Sequence, residues 1–467
     1  MSEKSEKTVN GDGNASDTAP QAPAPTPATS APADTPAYSP TYATIITAGD
    51  FGPWISKLVL ALPCEVGPND VSPQTFNVFC ARRETADGSP IMNMDGTTAQ
   101  GYLPVAAAYP CQPNGTPAPR GTHAALELPE APLTKTIEGS ALGHSRFVEN
   151  RFRVTQLEAI PGPGGPVTGL VFEEWSDSAC PEVAGWYADG MSEPVDGIQL
   201  EYAYYEPSFE PSIDLFGQPH EKPEKAAVIV WLHGAGEGGD DLDLALLGNR
   251  VTALSQDPIQ GYFGGAAWVV VPQAPTYWMD DGAEQMGRSN QSIYAKPLKA
   301  LIDEFVTERA DRVDPGRIII GGLSNGGFMT VRMCADHPDY FAAGIPVCAP
   351  FYAENQTPEV VGTLSQTPLW FVHSKDDPVV DPRDTALPLH HALKEAGAEV
   401  HMTYFEHVDD LTGRYREPDG RPLRSIGHFS WIQVFNDFCR TDLDGTNVMV
   451  DGEPAGVWEW AASKHRE

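Results

Sequence analysis

A serine boxed in by glycines opens the chemistry of this chain: Gly322-Leu323-Ser324-Asn325-Gly326. The apolar run RIII precedes it and the helical stretch FMTVRMCADH follows, which is the strand, sharp turn, helix setting that exposes a nucleophile at the carboxyl end of a sheet. The glycines fit a turn with no room for β-carbons. A serine hydroxyl is a weak nucleophile near neutrality, so it needs a base within hydrogen-bond reach and a third group to orient that base. An acid and then a histidine follow in that order. The run PLWFVHS leads into Lys375-Asp376-Asp377-Pro378-Val379-Val380, and Gly427-His428-Phe429 lies near the C-terminus. Asp377 is the preferred acid, with Asp376, Asp381 and Asp384 as alternatives in the same loop. His428 is the preferred base because its loop lies beyond the last long strand, and His373, His390, His391, His401 and His407 are read as structural or surface residues.

Attack on a carbonyl also needs backbone N–H donors for the developing oxyanion, each contributing on the order of 10² to 10³ in rate. One is expected from Asn325. The other is expected from Ala235 or Gly236 in Leu232-His233-Gly234-Ala235-Gly236-Glu237-Gly238-Gly239, with His233 holding that loop. Gly234, Gly236 and Gly239 also satisfy a dinucleotide fingerprint, but Asp240, Asp241 and Asp243 would set carboxylates beside a pyrophosphate, and no acid-ended second strand follows. No Gly-Lys-Ser/Thr completes a P-loop, and Asp442-Leu443-Asp444-Gly445 reads as a turn rather than a calcium loop. The expectation is a reaction without metal or organic cofactor. Tyr277, Trp278 and Trp431 are candidates for lining a substrate pocket, with core packing as the competing reading.

The elements that must position these groups fall into three stretches. Residues 1–44 form a tract rich in Pro, Ala, Thr and Ser with almost no large apolar residues, which reads as disordered. Residues 45–190 carry short runs such as ISKLVLAL, TFNVFCA, SRFVENRFRVTQL and GPVTGLVFEEW between Gly, Pro and Asn clusters, the pattern of a small β-sandwich. From 191 to 467 strands alternate with helices: AAVIVWLHG is a continuous apolar strand of the kind buried on both faces, and AAWVVVPQ, RIIIGGL, GIPVCAP, PLWFVHS and EVHMTYF read as further strands. SIYAKPLKALIDEFVTERA is an amphipathic helix. LDLALLGNRVTALSQ has helical periodicity throughout. The fold class is therefore α/β, a mostly parallel sheet with helices on both faces, preceded by an all-β domain.

Taken together and in order, WLHGAGEGGDD, VVVPQAP, RIIIGGLSNGGFMT, HPDYFAAGIPVCAP, HSKDDPVV and GHFSW make residues 226 to about 440 resemble the α/β-hydrolase branch of polyhydroxybutyrate-depolymerase-like and feruloyl-type esterases and predicted peptidases. The resemblance implies Ser324, Asp377 and His428 as a triad, with the oxyanion site near Ala235 and Asn325. Some esterases of this branch carry an N-terminal immunoglobulin-like domain, and GDFGPWISKLVLAL with VSPQTFNVF is similar to the opening of that domain. Two features depart from the branch: Asn325 stands where methionine or alanine is common, and His407–Ile426 is a long polar loop before the histidine.

The formal charge of −34, from 64 acidic against 30 basic residues, repels phosphate backbones and anionic headgroups, so neither nucleic acid nor membrane is the expected partner. A small-molecule ester is, and self-association through the N-terminal domain is a further expectation. The first residues show no hydrophobic signal core and the seven cysteines no metal or redox spacing, which points to the cytoplasm and reduced thiols; the alternative is export by another route, with disulfides among the four cysteines before residue 190. The expected activity is hydrolysis of short-chain acyl or aryl (hydroxycinnamoyl-type) esters through an acyl-enzyme. A serine peptidase and an inert binding protein are the rivals.

Overall fold

The computed structural model describes residues 38–466 except 94–95, 130–132, 138–142 and 214–218; the Pro-rich tract expected to be disordered lies outside the described residues up to position 37. The first strands form two facing sheets. One runs β10–β1–β2–β6–β5, from β1 (Thr41–Gly49), β2 (Gly52–Val66), β5 (Ala107–Cys111), β6 (Gly121–Glu127) and β10 (Glu174–Ala179). The other runs β4–β3–β8–β7, from β3 (Phe76–Glu84), β4 (Gln100–Leu103), β7 (Lys135–Ile137) and β8 (Ser145–Gln156), with β9 (Val171–Phe172) paired to β8. Alternation puts Leu58, Leu60, Leu126, Val78, Phe152 and Val154 between the sheets, where they are buried together. This is the β-sandwich that the short runs and turn clusters anticipate.

The sheets change hands earlier than position 190. β10 closes the sandwich by pairing parallel to β1, whereas β11 (Trp186–Gly190) already pairs antiparallel with β12 (Glu201–Tyr205), and β12 with the hydrolase sheet. Short polar-edged strands such as WYADG carry no mark of which sheet they join, because that is decided by partners far along the chain. A two-residue ribbon, β13 (Ser212–Ile213) with β14 (Pro219–His220), leads into the core strands.

Those are β15 (Ala226–Leu232), β16 (Ala267–Gln273), β17 (Val313–Leu323), β18 (Ala343–Val347), β19 (Leu369–Ser374) and β20 (Val400–Phe405), all parallel. With the two antiparallel edge strands the order is β11–β12–β16–β15–β17–β18–β19–β20. Every residue of β15, β16, β18 and β19 is buried, as expected of strands covered on both faces. The covering helices are α1 (Leu242–Leu247), α2 (Asp257–Tyr262), α3 (Ala295–Glu308), α4 (Asn325–Asp336), α5 (Pro358–Leu364), α6 (Ala386–Glu395), α7 (Trp431–Phe435) and α8 (Val457–Ala462). The single helical stretch expected over LDLALLGNRVTALSQ is interrupted: Arg250 takes φ 58° and the chain continues as a short 3₁₀ segment, Val251–Ser255. Arg250 turns there to reach Asp50 of the sandwich at 3.1 Å, and that buried carboxylate also accepts from Asn436 at 2.9 Å.

The connections settle where a ligand can sit. After β15 the chain steps to β16 on one side, then crosses to β17 on the other, so strand order reverses between β15 and β17. Open α/β sheets bind ligands outside the carboxyl ends of their strands at such a reversal. The glycine-rich loop after β15 and the serine turn after β17 both emerge there.

Candidate active site

Ser324 sits at the junction of β17 and α4 with φ 51° and ψ −113°, a conformation that side chains rarely adopt. Its N–H donates to Val347 O at 2.8 Å, and its C=O accepts from Phe328 N–H at 2.9 Å, so strand and helix grip it from both sides. The turn closes on bare backbone: a β-carbon on Gly326 would lie 2.0 Å from Leu232 O, and one on Gly322 2.6 Å from Gly326 O. Only glycine fits either position. Strain of this kind is held by its surroundings and gathers at functional sites.

Three distant side chains meet here. Ser324 Oγ donates to His428 Nε2 at 2.9 Å, and His428 Nδ1 donates to Asp377 Oδ2 at 2.8 Å. Asp377 lies just past β19, and its Oδ1 accepts from the N–H groups of Val379 (2.8 Å) and Val380 (2.9 Å). Burial works to raise its pKa, but the hydrogen bonds from His373 and His428, the charge of His428 and the Val380 N–H together hold the carboxyl well below the usual range. Asp377 therefore stays ionised. For His428 burial opposes the charged ring, while the Cys348 thiol and Asp377 favour it and move it above the ordinary histidine value. The alternative acids are engaged elsewhere: Asp376 with Ser374 and His407, and Asp381 with Arg383.

The loop after β15 lies alongside. A β-carbon on Gly234 would meet Leu323 Cδ1 at 2.6 Å, so the loop and the serine turn are in contact, and Ala235–Glu237 form a 3₁₀ turn with Ala235 and Gly236 half-buried. His233 anchors the loop from beneath, as expected. Burial lowers its pKa to about 4, so the ring is neutral, donating from Nδ1 to Gly234 O (2.6 Å) and accepting at Nε2 from Ala274 N–H (3.0 Å). Asn325 begins α4, where the first N–H groups of a helix have no intrahelical acceptor. Its side chain is buried, with Nδ2 3.4 Å from Met286 Sδ, so the amide packs rather than facing open solvent.

Of the three aromatic candidates, Trp278 and Trp431 are buried and Tyr277 is half-buried. Trp278 is fully buried, its ring tilted against that of His233 at 5.2 Å, and Trp431 is buried edge-on to His428 at 5.5 Å. Both brace imidazoles, because a flat apolar ring is the natural packing partner for a histidine that must hold one orientation. Tyr277 is half-buried against His144 of the sandwich, 4.7 Å between rings.

Sequence reasoning missed two further neighbours of these three side chains. His373, read as structural or surface, is fully buried and places Nε2 3.1 Å from Asp377 Oδ2 and 3.0 Å from Val380 O, a second clamp on the acid. One imidazole inside an otherwise apolar buried strand was its available signal. Cys348 follows β18, is fully buried, has φ 39°, and its thiol lies beside His428. Donor atoms of Cys348, Asp377 and His428 lie within 4.8 Å of one another, but His428 and Asp377 already spend theirs on each other and on Ser324. A metal there would have to break those bonds.

With this geometry in place, comparison with known proteins is informative. Residues 218–412 match the phospholipase/carboxylesterase family model and residues 41–169 that of the esterase immunoglobulin-like N-terminal domain. The chain thus carries a carboxylesterase-type segment with the α/β-hydrolase fold behind a segment of the esterase immunoglobulin-like type. Among curated proteins it is similar to a putative esterase, NocK, of Nocardia uniformis subsp. tsuyamanensis (29% identity over 122 residues, 26% of this chain and 32% of that one). It is also similar to poly(3-hydroxyalkanoate) depolymerase C of Paucimonas lemoignei (33% over 70 residues, 15% and 16%). Carboxylesterase SOBER1 of Arabidopsis thaliana is 27% identical over 187 residues, 36% of this chain and 76% of that one. The chain thus spans about a third and a sixth of the first two relatives. The crystal structure of a thermostable esterase aligns over 91% of this chain and 100% of its own, with TM-score 0.67 and 23% identity, so the two share a fold. No helix among the described residues is long and apolar enough to cross a membrane.

Proposed function

We propose that the protein is a serine carboxylic-ester hydrolase acting through Ser324, His428 and Asp377. The observation that carries this reading is the unbroken hydrogen-bond chain from Ser324 Oγ through His428 to an ionised Asp377, set beside a glycine-bare backbone. Ser324 Oγ attacks the ester carbonyl carbon while His428 Nε2 takes the hydroxyl proton, and Asp377 stabilises the imidazolium that forms. Negative charge collects on the former carbonyl oxygen, which the N–H groups of Asn325 and of Ala235 or Gly236 receive. His428 returns the proton to the departing alcohol, leaving an acyl-serine. Water, deprotonated by the same imidazole, then releases the acid.

The substrates are short-chain acyl or aryl esters of the hydroxycinnamoyl type, small and without strong negative charge, because the chain's own field of −34 disfavours polyanions. The compartment is the cytoplasm, a reading supported by seven unpaired cysteines. The test is Ser324→Ala assayed against acetyl, butyryl and feruloyl esters alongside peptide amides. Turnover should fall by about 10⁶ where the three groups act as a unit. Near-normal hydrolysis by the variant, or a preference of the wild type for amides, defeats the reading.

A further inference from the structure

The turn that carries Ala235 and Gly236 is held from two sides by different domains. From the hydrolase side, His233 bonds Gly234 O, Gln273 Nε2 donates to Glu237 O at 2.8 Å, and Gly239 N–H donates to Ala274 O at 2.9 Å. From the other side come three residues of the sandwich. Lys135 of β7 places Nζ 3.4 Å from Glu237 Oε1 and donates to Gly248 O at 2.7 Å. Ser145, the first residue of β8, brings Oγ to 3.0 Å from where a β-carbon on Gly236 would stand, and His144 brings Nε2 equally close to that point on Gly238. Neither of those two atoms has a hydrogen-bond partner among the described residues. The sandwich therefore presses on the turn at three successive places.

Glu237 makes this contact electrostatic as well as steric. Its side chain is 6% exposed and that of Lys135 10%, so the pair is withdrawn from water. Glu237 Oε2 lies 3.1 Å from the β-carbon position of Gly234, directly against the backbone that precedes Ala235. An unneutralised carboxylate there would oppose the negative charge that grows on the substrate oxygen, and it would draw water or a proton inward at the expense of the turn's geometry. Gly52, at φ 121°, leaves the passage: a β-carbon on it would lie 2.5 Å from Lys135 Cε. A glycine on the sandwich is thus spent on letting this one lysine through.

We propose that Lys135, a residue of the N-terminal sandwich, is a positioning residue for ester hydrolysis, neutralising Glu237 beneath the Gly234–Glu237 turn and so setting both the donor geometry and the local charge that meet the oxyanion. The inference rests on the ester-hydrolase reading. It assigns the immunoglobulin-like domain a direct part in transition-state stabilisation, exerted through one ion pair across the domain interface.

The experiment is a cycle of Lys135→Met, Glu237→Gln and the double variant in the full chain. It is read by kcat and KM on p-nitrophenyl acetate and by affinity for a trifluoromethyl ketone, whose adduct carries the anionic tetrahedral oxygen. Lys135→Met should lower kcat about 10- to 100-fold, as misplaced donors do, leave KM within about twofold, and weaken the ketone by the same factor as kcat/KM. Removing the opposing charge as well, in Lys135→Met/Glu237→Gln, should recover most of the loss, and Lys135→Arg should retain activity. A kcat for Lys135→Met within twofold of wild type, or a double variant no better than the single, overturns the proposal. Should Lys135→Met not fold, Glu237→Gln alone decides: ketone affinity at or above wild type supports it, and a tenfold weakening refutes it. Wild-type protein that neither hydrolyses esters nor binds the ketone would instead remove the ester-hydrolase reading itself.

Discussion

Replacing Asp377 by asparagine changes one atom pair and should disable the base. The geometry dictates how. Oδ1 receives two backbone N–H groups, from Val379 and Val380, so the amide oxygen of an asparagine must occupy that place. Its NH₂ then falls at the Oδ2 position, which faces Nδ1 of His428 at 2.8 Å and Nε2 of His373 at 3.1 Å. The N–H that faces His428 must be met by the lone pair of its Nδ1, which moves the ring proton to Nε2. Nε2 then has nothing with which to accept the Ser324 hydroxyl proton. The same tautomer error in a serine protease costs about 10⁴ in kcat, and at 1.36 kcal/mol per tenfold that is about 5.4 kcal/mol of barrier. Steady-state hydrolysis of p-nitrophenyl acetate would show the fall in kcat with little change in KM, and a proton spectrum would lose the far-downfield imidazole Nδ1 resonance. Asp376→Asn, at a carboxylate committed to Ser374 and His407, should retain kcat within about tenfold. An Asp377→Asn protein keeping more than a tenth of wild-type kcat, or an Asp376→Asn protein losing as much as Asp377→Asn, would show that the acid has been misassigned.

The base must be neutral to act, and the surroundings of His428 raise its pKa, so kcat/KM should fall with acid from above the ordinary histidine range; removing the Cys348 contribution with Cys348→Ala lowers that pKa and should move the acid limb to lower pH. A limb that stays in place, or moves to higher pH, contradicts the role given to the thiol. Gly326→Ala drives a methyl group to 2.0 Å from Leu232 O, and since neither backbone can retreat freely, it should cost about 1–3 kcal/mol of stability in a denaturant titration. Activity should fall more than the folded fraction does. An alanine variant of unchanged midpoint and turnover would mean that the strand and the serine turn are less tightly opposed than described.

Much of the hydrolase fold is readable because its strands are continuous apolar runs and its candidate reactive groups sit where such strands end. Ser324 followed RIIIGGL, and the loop with Ala235 followed AAVIVWL, each at the carboxyl end of a buried strand. Choices between neighbours were not readable. Asp376 and Asp377 differ only in which way the turn after β19 points them, and that is set by Val379 and Val380 folding back on Asp377. Core packing and pocket lining are both open to an aromatic residue near the motifs; Trp278 and Trp431 are buried against His233 and His428, which depends on what covers them rather than on their type. The break at Arg250 is invisible in the periodicity of its segment because its cause, Asp50, is 200 residues away. The Lys135–Glu237 pair has the same character: nothing in PLTKTI announces a partner 102 positions on.

That β10 lies parallel to β1, and that Asp50 at the end of β1 is met by Asn436, carries a consequence for synthesis. While the polypeptide emerges from the ribosome, its earliest strand can find β2 at once, yet its other edge stays open until residue 179 has appeared, and its terminal carboxylate waits for almost the entire translation. At about 5–20 residues per second that is an interval of tens of seconds. Nascent molecules therefore expose a half-zipped edge until β10 has been made, and products truncated before it should be the aggregating ones.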